Sequence, residues 1–410
     1  MARTPESVCR LPLRENSTGQ GLLLSTLALL ALGVVMVHSA VASVANPGPW
    51  YSRVDVRHTI FAAAALLTLC AAWPCNYHWL ERGRILPVLP TLLMVLAMAC
   101  ALLVYVPGVG HAVGGYRRWI RVGPAEYSLG FQPSEILKLA MVIFFSAWLT
   151  RKTVHVRSFT KAFLPALLLM GLCVLLVIRE DFGTAILLSV SGMVTLLLAG
   201  VPWYYLLSLV PPGAGAFYVL VVRSEYRWAR IQAWFDPWSQ TNPSAYQPRQ
   251  SLLAIISGGW FGAGPGGGMQ KLGFLPEDST DFIFSVFCEE WGFIGAVLLM
   301  GLVIVWIWHA RRSAVRAGDR FGRVLAGSLG FLIAMQMVLH IAVDLVAAPP
   351  TGMTLPFVSA GGTALVIMAG AAAIMISVTA HQRAEAERSN PSPASARGKV
   401  AAGSAPRPAS

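Results

Sequence analysis

Apolar runs of about twenty residues, the length needed to cross a bilayer as a helix, recur along nearly the whole chain, and they limit the possible folds more than any other feature. They fall near 21–44, 58–74, 85–106, 134–150, 162–178, 183–200, 203–222, 282–309, 323–346 and 361–380. A backbone in lipid must satisfy its own hydrogen bonds, so runs of this kind fold as helices. Composition agrees: 56% of the 410 residues are hydrophobic and only 12% charged, against roughly a quarter charged in soluble domains. The predicted fold is all-α: a polytopic integral membrane protein of about ten spans, with a large extracytoplasmic loop between spans seven and eight. Residues 21–381 form one transmembrane domain. Residues 1–20 are a polar cytoplasmic tail, and 382–410, rich in Pro, Ser, Ala and Arg, are expected to be disordered.

The net charge of +12 sits in short segments between spans rather than in a basic domain, which argues against a nucleic-acid partner. With the N-terminus inside, nineteen Lys and Arg fall in inside segments and eleven in outside ones, with Lys138 inside a span. Cationic loops favour the cytoplasmic side, so both termini are expected there. A rival exists at the N-terminus, where a basic flank, an apolar run and Ala-Val-Ala at 40–42 imitate a signal peptide. The run is too long for one, and nine more follow. Six cysteines lie singly with no CxxC pair, which argues against a disulfide framework or a zinc site.

This orientation leaves three substantial loops outside, 107–133, 223–281 and 347–360. Loops on a rigid scaffold are where chemistry is usually carried. The first holds Arg117-Arg118-Trp119-Ile120 and then Gln132-Pro133-Ser134-Glu135, with Lys138 one turn on. Glu135 and Lys138 share a helix face, either as an interfacial pair with a snorkelling lysine or as a buried pair beside a polar cavity. Asp181 precedes span six, where capping is the simpler role. The long loop carries Arg227, Arg230 and Lys271, cations suited to a phosphate or diphosphate or simply solvated. Residues 262–267 satisfy GxGxxG, yet no strand precedes them and no βαβ unit surrounds them, so a dinucleotide site is rejected. These glycines instead suit backbone that turns at membrane depth.

Asp281 stands at the outer mouth of span eight. It is either a helix cap or a carboxylate placed to act as general base on a lipid-linked substrate. Gln336, His340 and Asp344 repeat every four residues and share one face of span nine. A structural hydrogen bond is the favoured reading of that His–Asp pair, ahead of a proton relay.

Taken in order, these blocks resemble the FtsW/RodA/SpoVE (SEDS) family over roughly residues 20–380. The matching pieces include Arg118-Trp119-Ile120, Gln132-Pro133-Ser134-Glu135 with Lys138, Asp181 with Gly183-Thr184, Tyr246-Gln247 and Gln270-Lys271. They continue through Leu275-Pro276-Glu277, Thr280-Asp281-Phe282, Glu289-Glu290, and Leu355-Pro356-Phe357 with Ser359, Gly361 and Gly362. The resemblance implies a peptidoglycan glycosyltransferase that polymerises lipid II outside the cytoplasmic membrane. Its partners would be a class B penicillin-binding protein and other divisome or elongasome proteins. It also implies that Asp281 is catalytic and that Arg118, Glu135 and Lys138 matter for function. Gln270-Lys271 leans towards the FtsW branch. His340 stands where the family usually has Asn, and Ala360 where it has Tyr.

Joining two lipid-linked disaccharides needs a base for the attacking hydroxyl and positive charge for the leaving diphosphate. Asp281 supplies the first; Arg118, Arg227, Arg230, Lys271 and Lys138 are candidates for the second. Any metal requirement stays open, a divalent cation such as Mg or Mn being compatible with a diphosphate. The rival from another class is a lipid II flippase, which should show internal repeats and ionisable groups near the midplane. No clear repeat is visible, and the charged groups gather at the outer edge.

Overall fold

Helices form where the apolar runs require them. The computed structural model describes residues 12–42, 53–83, 86–113, 116–122 and 129–389; both chain ends, the rest of the two polar tails, Cys9 and the Gly114-Gly115 pair lie outside the described residues. Helix α1 (Ser17–Ala42) starts where Asn16 Oδ1 accepts the Gly19 N–H at 3.0 Å, which satisfies one donor the first turn leaves open. It is followed by α2 (Val54–Ala72) and α3 (Val88–Leu103). Next comes a small antiparallel sheet, β1 (Gly110–Val113), β2 (Tyr116–Val122) and β3 (Leu129–Phe131), with Gly110 opposite Ile120 and Ile120 opposite Phe131. Helix α4 (Pro133–Leu149) opens on a proline, whose fixed φ and missing N–H cost nothing at a first turn. Helix α5 (Leu164–Val177) is prolonged at its start by a π turn, Phe159–Phe163, and α6 (Phe182–Ala199) ends on Gly200 at φ +97°.

Beyond it lie α7 (Trp203–Leu207), α8 (Val210–Phe217) with a π turn to Val222, α9 (Glu225–Phe235) and α10 (Tyr246–Ser257). The long helices α11 (Ile283–Val315), α12 (Arg320–Asp344) and α13 (Thr363–Ser389) complete the bundle. Among the described residues, eight helical segments are long and apolar enough to cross a membrane. Helices α3 and α4 are shorter, 16 and 17 residues, and pack into the same bundle. The C-terminal boundary differs from expectation, since α13 continues to Ser389 rather than stopping near 381.

Two apolar cores build the bundle. One joins α1, α2, α11, α12 and α13; the other joins α3, α5 and α6; α4 contributes side chains to both. Lipid offers little hydrophobic drive between helices, so close packing must hold them. Ala369, Ala371, Ala372 and Ala373 are wholly buried on α13, and their small side chains let α13 lie close against α1 and α2. Outward-facing Leu67, Leu92, Leu168 and Leu298 are each more than half exposed, an apolar surface suited to lipid rather than water.

Three features depart from the expected spans and loops. The 107–133 loop is partly sheet. The run 203–222 is interrupted after Leu207, and Pro211 and Pro212, which lack backbone donors, fall in the first turn of α8. The 223–281 segment contains two helices, not an open loop. Helix α11 also breaks at Gly292 (φ 65°, ψ −166°), and the glycine segment repairs the break. The Ala263 and Gly264 N–H groups donate to the carbonyls of Glu289 and Glu290 at 2.9 and 3.0 Å. The Phe293 and Ile294 N–H groups in turn donate to Gly259 and Trp260 carbonyls at 2.8 and 3.2 Å. Only glycine fits there: a Cβ on Gly262 would lie 2.1 Å from the Glu290 carbonyl oxygen. The GxGxxG segment is thus a helix splice, which is why its pattern has no nucleotide chemistry behind it.

Candidate active site

Arg227 and Arg230 are three residues apart on α9, so both present to one face. They line a cleft enclosing about 630 Å³, open mouth included, together with Arg118, Arg179, Glu180 and Thr351. Each of the three arginines 118, 227 and 230 is held by carbonyl oxygens. Arg227 donates to Leu220 and Ile178 at 3.0 and 3.1 Å, Arg230 to Pro350 at 3.4 Å, and Arg118 Nε to Glu180 at 2.6 Å. The Arg227 guanidinium also lies 4.9 Å from the Phe182 ring centre. Carbonyls orient Arg227 and Arg230 without neutralising them, which leaves their charge available to an anion.

Asp281 sits beside this cleft. A Cβ built on Gly352 would be 3.2 Å from Asp281 Oδ2 and 3.8 Å from Arg118 Nη1, so this glycine, at φ +69°, lies between the carboxylate and the guanidinium. The N-cap position of α11 is Phe282, not Asp281. No hydrogen bond to the Asp281 carboxylate occurs among the described residues, so it is not consumed as a cap. The residue keeps some surface exposure, but its carboxyl end is crowded by protein, and it is this end that titrates. Burial pushes it up to about 7, Glu277 and Asp181 add to the rise, and Arg118 and Arg230 oppose it. Asp278, also raised chiefly by burial, reaches about 6. Glu277 itself adopts φ +58°, a costly backbone state for a non-glycine residue. It turns the chain so that its carbonyl accepts the Asp281 N–H at 3.0 Å.

Asp181 is a cap. Its Oδ1 accepts the Thr184 N–H at 3.0 Å and its Oδ2 the Thr184 hydroxyl at 2.8 Å. Lys271 departs from the expected role. It is 1% exposed, 2.6 Å from Glu290 Oε1, and donates to the Ser39 carbonyl at 3.1 Å. Folding of the glycine segment onto the broken α11 carries it inward, away from the cleft. Glu135 and Lys138 are likewise a buried pair at 2.8 Å, with Lys138 also donating to Gln336 at 2.9 Å. Neither is among the residues lining the cleft. His340 Nδ1 meets the Met353 carbonyl at 2.7 Å, and Asp344 Oδ2 accepts the Ser285 N–H at 3.0 Å. The two residues fasten α12 to the last outer segment and to the start of α11, a structural role. Among the described residues, the one grouping able to hold a metal ion is His78, Glu81 and Asp319. It lies at the far end of the bundle from Asp281.

Sequence reasoning singled out Asp281 and the arginines but passed over Glu277, Glu180 and Gly352 as site residues. The signals were present: Glu277 four residues before Asp281, and a glycine in an otherwise proline-rich outer segment.

The sequence signature of the FtsW/RodA/SpoVE family, described as cell cycle proteins, matches residues 20–384. The chain is 36% identical over 389 residues to the probable peptidoglycan glycosyltransferase FtsW of Halomonas elongata, covering 93% of this chain and 95% of that one. It is 35% identical to the stage V sporulation protein E of Bacillus subtilis, covering 90% and 99%. In structure it is similar to a chain of a peptidoglycan synthase complex that coordinates polymerization and crosslinking, at TM-score 0.71 and 25% identity, covering 89% and 98%. The rod shape determining protein RodA of Thermus thermophilus aligns at TM-score 0.62 and 25% identity, covering 88% and 96%. A bundle of apolar helices, a carboxylate beside oriented arginines and matching relatives along almost the full length lead to one assignment: this chain belongs to the FtsW/RodA/SpoVE family.

Proposed function

We propose that the chain is a peptidoglycan glycosyltransferase that polymerises lipid II, with Asp281 as general base. The observation that carries this reading is a carboxylate unused in capping, raised in pKa, and set beside three arginines anchored by carbonyl oxygens. A hydroxyl of one lipid-linked disaccharide attacks the anomeric carbon of the other. Asp281 takes its proton as the new C–O bond forms, and the bond to the lipid diphosphate breaks on the opposite face. Arg118, Arg227 and Arg230 bind the departing diphosphate, where preorganised charge helps most. Asp281 then releases its proton to water. One base and one displacement invert the anomeric centre.

Lys271 and the Glu135–Lys138 pair act by position. The first pins the glycine splice to α11 and α1; the second fixes α4 against α12. Helices α3 and α4 complete ten spans, and both termini are cytoplasmic, so the cleft opens outside the cytoplasmic membrane. The similarity to a chain of a complex that couples polymerization with crosslinking supports a crosslinking partner, a class B penicillin-binding protein, within the divisome or elongasome. Relatives named FtsW favour the division role. The flippase reading is disfavoured because Asp281 and the cleft arginines lie at the edge of the bundle, beside the mouth of α11, and not midway along the spans.

The test is direct. Purified protein incubated with labelled lipid II should yield long glycan strands, and Asp281→Asn should reduce the rate by about 10²–10⁴ while leaving lipid II binding intact. Transport of lipid II across vesicles by both proteins, with no polymer from either, would instead select the flippase.

A further inference from the structure

A second cavity, about 730 Å³ with its opening, lies on the other side of the Glu277–Asp281 segment; Arg57, His58, Trp119, Glu277, Thr280 and Ala360 are among its lining residues. Strand β2 separates the two spaces. Successive residues of a strand point to opposite faces, so Arg118 faces the arginine cleft and Trp119 faces this cavity. The Trp119 ring rests on Gly130 of the neighbouring strand, where an added Cβ would lie 3.2 Å from it. His58 is 2% exposed, and neither of its ring nitrogens has a hydrogen-bond partner among the described residues. Buried polar groups are nearly always paired, so a histidine lacking both partners on a cavity wall indicates that a ligand supplies them.

We propose that this cavity seats the sugar of the glycosyl acceptor, with Trp119 as the stacking face, His58 and Glu277 as hydroxyl partners, and Ala360 as the residue that sets its size. The proposal rests on the transferase reading above. An aromatic face beside a carboxylate and an imidazole suits a pyranose, which has apolar C–H faces and a rim of hydroxyls. Position separates acceptor from donor. A displacement with inversion brings nucleophile and leaving group to opposite faces of the anomeric carbon. The arginine cleft claims the diphosphate, so the hydroxyl must arrive from the opposite side of Asp281. Ala360 leaves open the space that the tyrosine of the family pattern would enter.

The test uses the full-length protein, labelled lipid II, and the lipid-free disaccharide of lipid II as a soluble probe. Ala360→Tyr should fill the cavity and raise the KM for lipid II roughly tenfold or more, with kcat changed far less. His58→Ala, a second variant should the first fold poorly, should act in the same direction. The disaccharide should bind the parent and compete with lipid II, and both variants should lose that binding. Unchanged KM and unchanged disaccharide binding in a folded variant overturn the proposal while polymerisation by the parent still stands. Competition by a free polyprenol but not by the disaccharide overturns it too, making the cavity a lipid-tail site. If the parent makes no polymer yet binds the disaccharide and Ala360→Tyr does not, the sugar site survives and the transferase reading fails.

Discussion

The proposed role of Asp281 as general base makes testable demands on one carboxyl group and its environment. With the Asp281 pKa pushed up to about 7, a general base there is half protonated near neutrality. The rate should fall about tenfold for each pH unit below that value and level off above it. Removing the negative neighbour in Glu277→Gln should move this acidic limb to lower pH, because one of the causes of the rise is gone. A limb that stays in place would detach Asp281 from the rate. Linkage gives a matching sign for stability. The folded protein keeps a proton that the unfolded chain releases from pH 3.8 upwards, so this contribution declines as pH rises from about 4 through 7. Asp281→Asn lacks the charge, and its melting temperature should gain on the parent's between pH 5 and pH 8. Gly352 adds a steric test. Its φ of +69° and the gap it leaves between Asp281 and Arg118 mean that Gly352→Ala strains the backbone and fills the gap at once. Activity should drop well beyond any loss of folded protein, as read by turnover per folded molecule.

At the scale of elements, Glu135 and Lys138 test whether buried charge is held by its partner. With both side chains almost wholly buried and 2.8 Å apart, removing one leaves the other uncompensated at a cost of roughly 3–5 kcal/mol. Glu135→Ala should lower the yield of folded protein more than the double substitution Glu135→Gln with Lys138→Met, compared by size-exclusion yield in detergent. Equal and mild losses would mean that the pair contributes little. The same elements show what the sequence reveals. Asp281, Arg227 and Arg230 stood out as candidates because a carboxylate next to a span mouth and arginines at i and i+3 are local patterns. The spans were legible because lipid imposes a length. Lys271 was misread because its fate depends on a long-range event, the return of the glycine segment to repair α11 at Gly292. Nothing local in Gln270-Lys271 announces Glu290 or Ser39 as partners. The sheet at 110–131 escaped because its strands are short, the last only three residues, too few for a clear alternating pattern.

For the whole molecule, the decisive question is which compartment the cleft faces. Helix α11 is interrupted at Gly292, but its uninterrupted part, residues 293–315, is still roughly 35 Å long at helical rise. That is enough to cross a hydrocarbon core of about 30 Å and put the two ends of α11 on opposite sides. Asp281 stands at one end, and Arg311, Arg312 and Arg316 cluster at the other. Arg320 and Arg323 continue that cluster into the first turn of α12. Basic residues near span ends tend to be retained in the cytoplasm, which predicts that the Asp281 end faces outward. The wider distribution, nineteen inside against eleven outside, points the same way. A reporter that is active only outside the membrane should therefore work when fused at position 240 and fail at 315, and a cytoplasmic reporter should give the reverse. Activity of the outside reporter at 315 would turn the bundle over. Asp281, its arginines and the sugar-sized cavity would then face the cytoplasm, where a polymerase building an external wall has no use for them, and the proposed function would fail with the topology.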